Sequence, residues 1–232
     1  IVTVFFQTFV MKDDTAKARI RGRKKFLFYF PKGYADAKYY SWERGYKWEA
    51  HLAWERDLNK KEYQKLLDKK EYSEIALRAV RLETKTNLLF SFEKMALRDA
   101  VKPEEGAKAF AEGLYQYVYG KNSFQKRFEN FSEVLDSLPR KQTRVRTWPL
   151  QTVFGFIANP TEHIFLKPRV TREAAKKYNY EFLYTSKPNW ETYNSLLDFA
   201  EQVRKDTDDL KPKDFIDLQS FIWVMGSDEY DD

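Results

Sequence analysis

The chain has 232 residues, of which 43% are hydrophobic, 17% aromatic and 33% charged, with a formal net charge of +6. A chain of this length and composition buries a core of its own and is too rich in apolar side chains to stay disordered. Cysteine is absent, which excludes disulfides, thiolate zinc sites, iron–sulfur clusters and cysteine nucleophiles within these residues.

The opening IVTVFFQTFV and the later FLFYF alternate and are rich in Val, Phe and Tyr, which predicts two strands. Between them KARIRGRKK packs six positive charges into nine residues. On a strand Arg19, Arg21 and Arg23 project from one face, and Lys24 and Lys25 extend the patch. Pro31 and Gly33 then break the pattern, which turns helical. Over 35–58, Tyr39, Trp42, Tyr46, Ala50 and Ala53 recur at steps of three and four and form one stripe. A second helical run breaks near 69–71, and Ser91 is placed to cap the next helix. Pro103 with Glu104 and Glu105 opens a further helix that Gly120 closes.

Phe124, Phe128, Phe131 and Leu135 share a helical face that stops at Pro139. WPLQTVFGFIANP reads as a short buried helix, HIFLKPRV as a strand, and Thr171 as the cap of the helix after it. Asn189 caps a long amphipathic helix, and a last helix runs from near Asp214, its cap or dipole partner, to Gly226. The expected fold is mainly α, a multi-helix globular domain with a small N-terminal β element. A β-rich segment over 1–34 and a helical domain over 35–232 are expected to pack as one unit.

No run of about 18 uncharged apolar residues occurs, and the opening lacks the pattern of a signal peptide. A cytoplasmic protein without membrane contact is expected. The pattern G-x-x-x-x-G-K-[ST] is absent, and neither a cofactor nor a metal is expected. His51 with Glu55 one turn on, and Asp214 with Asp217, are the polar groups on which an enzyme with an aromatic-lined pocket would draw. His163 reads as a turn residue. Glu83 and Lys85 have the Glu-x-Lys form of metal-dependent nucleases, which requires a strand.

Charge beside aromatics is the stronger signal. Residues 137–161 hold no acid, yet Arg140, Lys141, Arg144 and Arg146 fall within seven positions, ahead of Trp148. Lys167 and Arg169 add to these cations in HIFLKPRV. Guanidinium forks pair phosphate oxygens, and Trp148 is placed to stack on a base. Expected is a DNA- or RNA-binding protein without catalytic activity, in which Arg19, Arg21, Arg23, Lys24, Lys25, Arg140, Lys141, Arg144, Arg146, Trp148, Lys167 and Arg169 meet nucleic acid. The alternatives are the enzyme above and a helical scaffold for a protein partner, with the acidic GSDEYDD as an interaction segment.

The series TNLLFSFEKMALRDAV, FAEGLY, TWPLQTVFGF, HIFLKPRVT, PNWETY, DLQSFIWV and GSDEY resembles a family of hypothetical bacterial proteins of about this length. That resemblance implies a folded bacterial protein and no particular activity. YQKLLDKKEYSEIALRAVRL with SFEKMALRDA is similar in rhythm to the helical half of CarD-type transcription regulators, which implies contact with promoter DNA. The order of helices from Trp148 onward resembles helical DNA glycosylases in fold alone.

Overall fold

The computed structural model describes residues 2–141 and 144–231, and only the backbone of residues 2–13. The expected first strand includes Ile1, the basic run RKQTRVRTW includes Gln142 and Thr143, and the acidic run ends on Asp232. Those positions lie outside the described residues.

The protein is mainly helical, and no strand occurs among the described residues. Where the expected β element is described it is a helix instead: α1 spans Val2–Tyr29 and takes in residues 2–10 and 26–29 of the two segments read as strands. Its buried positions explain why. Ala18, Gly22, Phe26 and Phe30 are covered at a spacing of four, so one helical stripe faces the core, and the alternation of FLFYF carries no weight against it. Phe26 packs against Tyr34, Tyr39 and Phe221, with ring centroids 4.9, 5.9 and 5.2 Å away.

After Gly33, which turns the chain with φ +58°, come α2 (Ala37–Tyr39), a π-helical turn (Tyr40–Arg44) and α3 (Gly45–Asp57). The extra residue of the π turn advances the side-chain register. It turns Glu43 and Arg44 inward and leaves Trp42, expected on the buried stripe, 53% exposed. Next are α4 (Lys60–Asp68), α5 (Tyr72–Thr84), α6 (Ser91–Val101), α7 (Glu104–Tyr119) and α8 (Phe124–Ser137). The break between α4 and α5 falls where Lys70 takes a left-handed φ of 59°. Ser91 is the first helical residue of α6 rather than its cap, and the Glu93 carboxylate accepts the Phe90 N–H at 2.9 Å.

α9 (Trp148–Ala158) is buried along its whole length, as its apolar sequence requires. The stretch after it is not a strand. With no neighbouring strand to bond, Ile164 exchanges hydrogen bonds with the Tyr193 hydroxyl, and Leu166 N–H donates to Thr152 Oγ1 at 3.1 Å. α10 (Pro168–Lys177) starts with Pro at its first position, so Thr171 lies inside the helix and is buried rather than capping it. α11 (Trp190–Asp206) and α12 (Phe215–Gly226) are capped by Asn189 and Asp214, as expected.

α10 lies against α12 at Gly226, where a Cβ would stand 2.0 Å from the Val170 carbonyl oxygen. Only glycine permits that approach, and it sets the start of α10 beside residues 227–229. α1 and the later helices share one hydrophobic core. No described helix is long and apolar enough to cross a membrane.

Candidate functional site

The helical path of α1 divides its cations. Arg19 and Arg23 lie one turn apart and face the end of α11: Arg19 Nε is 3.6 Å from Asp206 Oδ2, and Arg23 grips Asp209 through two bonds of 2.8 and 2.6 Å. Arg21 is on the far side, so the single face expected of Arg19, Arg21 and Arg23 does not form. Arg21, Lys24 and Lys25 instead line a cleft of about 820 Å³ with Phe28, Lys177, Met225 and Asp231. Lys25 Nζ donates to the Tyr230 carbonyl at 3.0 Å.

The second basic segment gathers around a different cleft, of about 920 Å³, lined by Arg144, Arg146, Lys167 and Arg169 together with Phe90, Phe92 and Trp223. Arg144 is exposed and has no ion-pair partner among the described residues. Arg146 is spent on the fold, donating to Asp136 and to the Pro188 carbonyl. Arg140 and Lys141 are exposed on the loop after α8 and do not line the cleft.

Trp148 corrects a further expectation. It is 2% exposed and its Nε1 donates to the Thr185 carbonyl at 2.8 Å, so no base can stack on it. Of the aromatic side chains that line this cleft, Phe90 and Phe92 are the most open to solvent, 56% and 48% exposed, and their rings stack with centroids 5.6 Å apart and planes 23° from parallel. These two were missed at the sequence level, although the Phe-Ser-Phe run entering a helix start was the available signal.

Lys167 joins the charged and aromatic parts of the cleft. Its ammonium lies 3.5 Å above the Phe90 ring, donates to the Leu88 carbonyl at 2.9 Å and stands 3.8 Å from Glu93. Burial pushes its pKa below the usual lysine value, and the nearby carboxylates of Glu93 and Glu83 oppose that fall. Arg169 reaches the far wall and pairs with Asp228 at 2.5 Å, both side chains being exposed.

The groups that an enzyme would need do not converge on either cleft. His51 is half-buried, with Nδ1 2.9 Å from the Ile157 carbonyl, and Glu55 is exposed. Asp214 and Asp217 are brought together and sealed. Arg44 bonds Asp214 twice and Asp217 once, and Tyr39 donates to Asp217 at 2.6 Å. Alongside, Lys47 donates to Glu43 and Ser220, and the Tyr230 hydroxyl donates to Glu43. Three carboxylates thus face two cations in a dry interface between the π turn and α12, a structural network and not an open site.

Glu83 lies near the end of α5, a helix, 3.5 Å from Lys94, and lacks the strand that the nuclease form requires. His163 is wholly buried with Nδ1 3.2 Å from the Tyr117 hydroxyl, and burial, aided by the nearby Arg127, lowers its pKa to about 3. No cluster of three or more His, Asp or Glu side chains that could hold a metal occurs among the described residues.

No family model, no curated protein and no solved structure matches the chain.

Proposed function

We propose that the protein binds nucleic acid without catalysis, and that the contact surface is the cleft of Arg144, Lys167 and Arg169 with Phe90 and Phe92. The observation that supports this most is the stacked, solvent-open Phe90–Phe92 pair beneath a lysine ammonium, at the edge of a cleft with an arginine that has no ion-pair partner among the described residues. Unpaired bases stack on aromatic faces whatever their sequence, while guanidinium and ammonium groups take the phosphates between them. Duplex DNA offers no free base face, so exposed aromatics favour a single strand of DNA or RNA. The arginines of α1 that pair with Asp206 and Asp209 have no part in this reading.

The test is anisotropy with labelled oligo-dT, oligo-U and a duplex of about 15 nucleotides, a length within the range of single-strand sites, across a salt series. Binding of the single strands with an affinity that falls as salt rises supports the proposal. No binding even at low salt, or binding without a salt dependence, sinks it.

A further inference from the structure

Residues 227–231 leave α12 and run between the two cationic clefts, with Asp228 and Glu229 lining one and Asp231 the other. One end of this segment is fixed. Tyr230 is 5% exposed, its ring meets Tyr29 edge to face at 4.8 Å, its hydroxyl reaches buried Glu43, and its carbonyl accepts from Lys25. The Tyr29 hydroxyl donates to the Asp231 carbonyl at 3.2 Å. At the other end Ser227 is buried as well and its Oγ accepts the Glu229 N–H at 3.1 Å, so what reaches the surface is the pair of side chains between the ends: Asp228 on Arg169, with side chains 79% and 67% exposed, and Glu229 on Trp223 Nε1 at 3.1 Å.

We propose that this segment is an internal competitor for the cleft, in which Asp228 and Glu229 stand where phosphates of the bound strand would pair. The inference rests on the nucleic-acid reading above and specifies its regulation. Carboxylates and phosphates make the same charge-assisted bonds to a guanidinium, so Asp228 must leave Arg169 before a phosphate can take it. An exposed ion pair is weak enough for a polyanion to displace. The buried Tyr230 anchor keeps the displaced carboxylates close, so they return at high effective concentration when the strand leaves. A ligand with a single negative charge competes poorly, and a strand with several phosphates competes well, which selects for polyanions.

The test compares oligo-dT binding by the full chain and by Asp228→Asn/Glu229→Gln, with Asp99→Asn/Glu112→Gln as a control of equal charge change at exposed sites that line neither cleft. The strap variant is expected to bind about three- to tenfold more tightly at low salt, the control much less, as weak tethered contacts dictate. Adding Arg169→Ala to the strap variant is expected to remove most of the gain. If the strap variant binds no better than the control while Arg144→Ala weakens binding, the competitor role is wrong and the nucleic-acid reading stands. If Arg144→Ala and Lys167→Ala both leave binding unchanged, the cleft is not the contact surface and both proposals fall.

Discussion

The Arg44 guanidinium meets the Asp214 carboxylate through two parallel bonds, Nη1 to Oδ1 at 2.9 Å and Nη2 to Oδ2 at 2.7 Å, with both side chains nearly free of water. Asp214 also caps α12 through the Ile216 N–H, so one carboxylate fixes the helix start and docks it on the π turn. Removing one partner of a buried pair leaves a stranded charge, which costs about 3–5 kcal/mol. Arg44→Met is therefore expected to lower the unfolding free energy by about that amount in urea titration. A loss below about 1 kcal/mol would show that the interface rearranges to let water in.

His163 supplies a pH dependence. Its pKa is lowered to about 3 in the fold, against about 6.5 in the unfolded chain. Between those values the unfolded state binds a proton that the folded state refuses, so stability falls as pH drops below about 6.5 and is insensitive to this group above it. The slope from one such group is at most about 1.4 kcal/mol per pH unit. Urea titrations of wild type and His163→Leu from pH 5 to 6.5 should show a steeper dependence in the wild type. Equal slopes would mean that His163 takes its proton while still folded.

Gly226→Ala tests the α10–α12 contact. The added Cβ meets the Val170 carbonyl and the Ala174 N–H, which are backbone atoms and cannot swing aside. Overpacking of this kind costs about 1–3 kcal/mol, and the upper end is expected here. Arg169 and Asp228 sit on the two sides of the same contact, so the variant should also change oligonucleotide affinity. An alanine variant as stable as wild type, by thermal unfolding, would contradict the close approach.

At the cleft, Phe90→Ala and Phe92→Ala are expected to weaken single-strand binding by about 1–3 kcal/mol each, the range for a stacked base. Arg144→Ala should weaken it and reduce the salt slope by about one contact. Arg23→Ala should leave affinity unchanged, since Arg23 does not line this cleft. An effect of Arg23→Ala equal to that of Arg144→Ala would place the contact on α1 instead.

Most helices past residue 59 were legible because their signals are local: Asn189 and Asp214 as caps, Gly120 as a stop, Phe128, Phe131 and Leu135 as one buried stripe; the exception is α10, whose first turn was read as the end of a strand. α1 was misread because alternating Arg and aromatic residues satisfy a period of two as well as a stripe of every fourth residue. Choosing between them needed Phe221 and Tyr34, which lie elsewhere in the chain. The cations of the second cleft were named from sequence, while its aromatic face was assigned to Trp148, which the packing around Thr185 consumes. Glu43, Arg44 and Lys47 gave no sign of burial, because a π turn leaves no composition signature and the groups they meet on α12 and after it, Asp214, Asp217, Ser220 and Tyr230, are 170 to 187 residues away.

The bonds from Lys25, Tyr29 and Glu43 to residues 230 and 231 span separations of 205, 202 and 187 residues. During synthesis, α1 therefore leaves the ribosome long before its mates exist. At about 5–20 residues per second, its Ala18–Gly22–Phe26–Phe30 stripe waits roughly ten to forty seconds for α12. Over that interval α1 is a client for a holding chaperone, and its docking onto α12 waits for a partner made almost two hundred residues later.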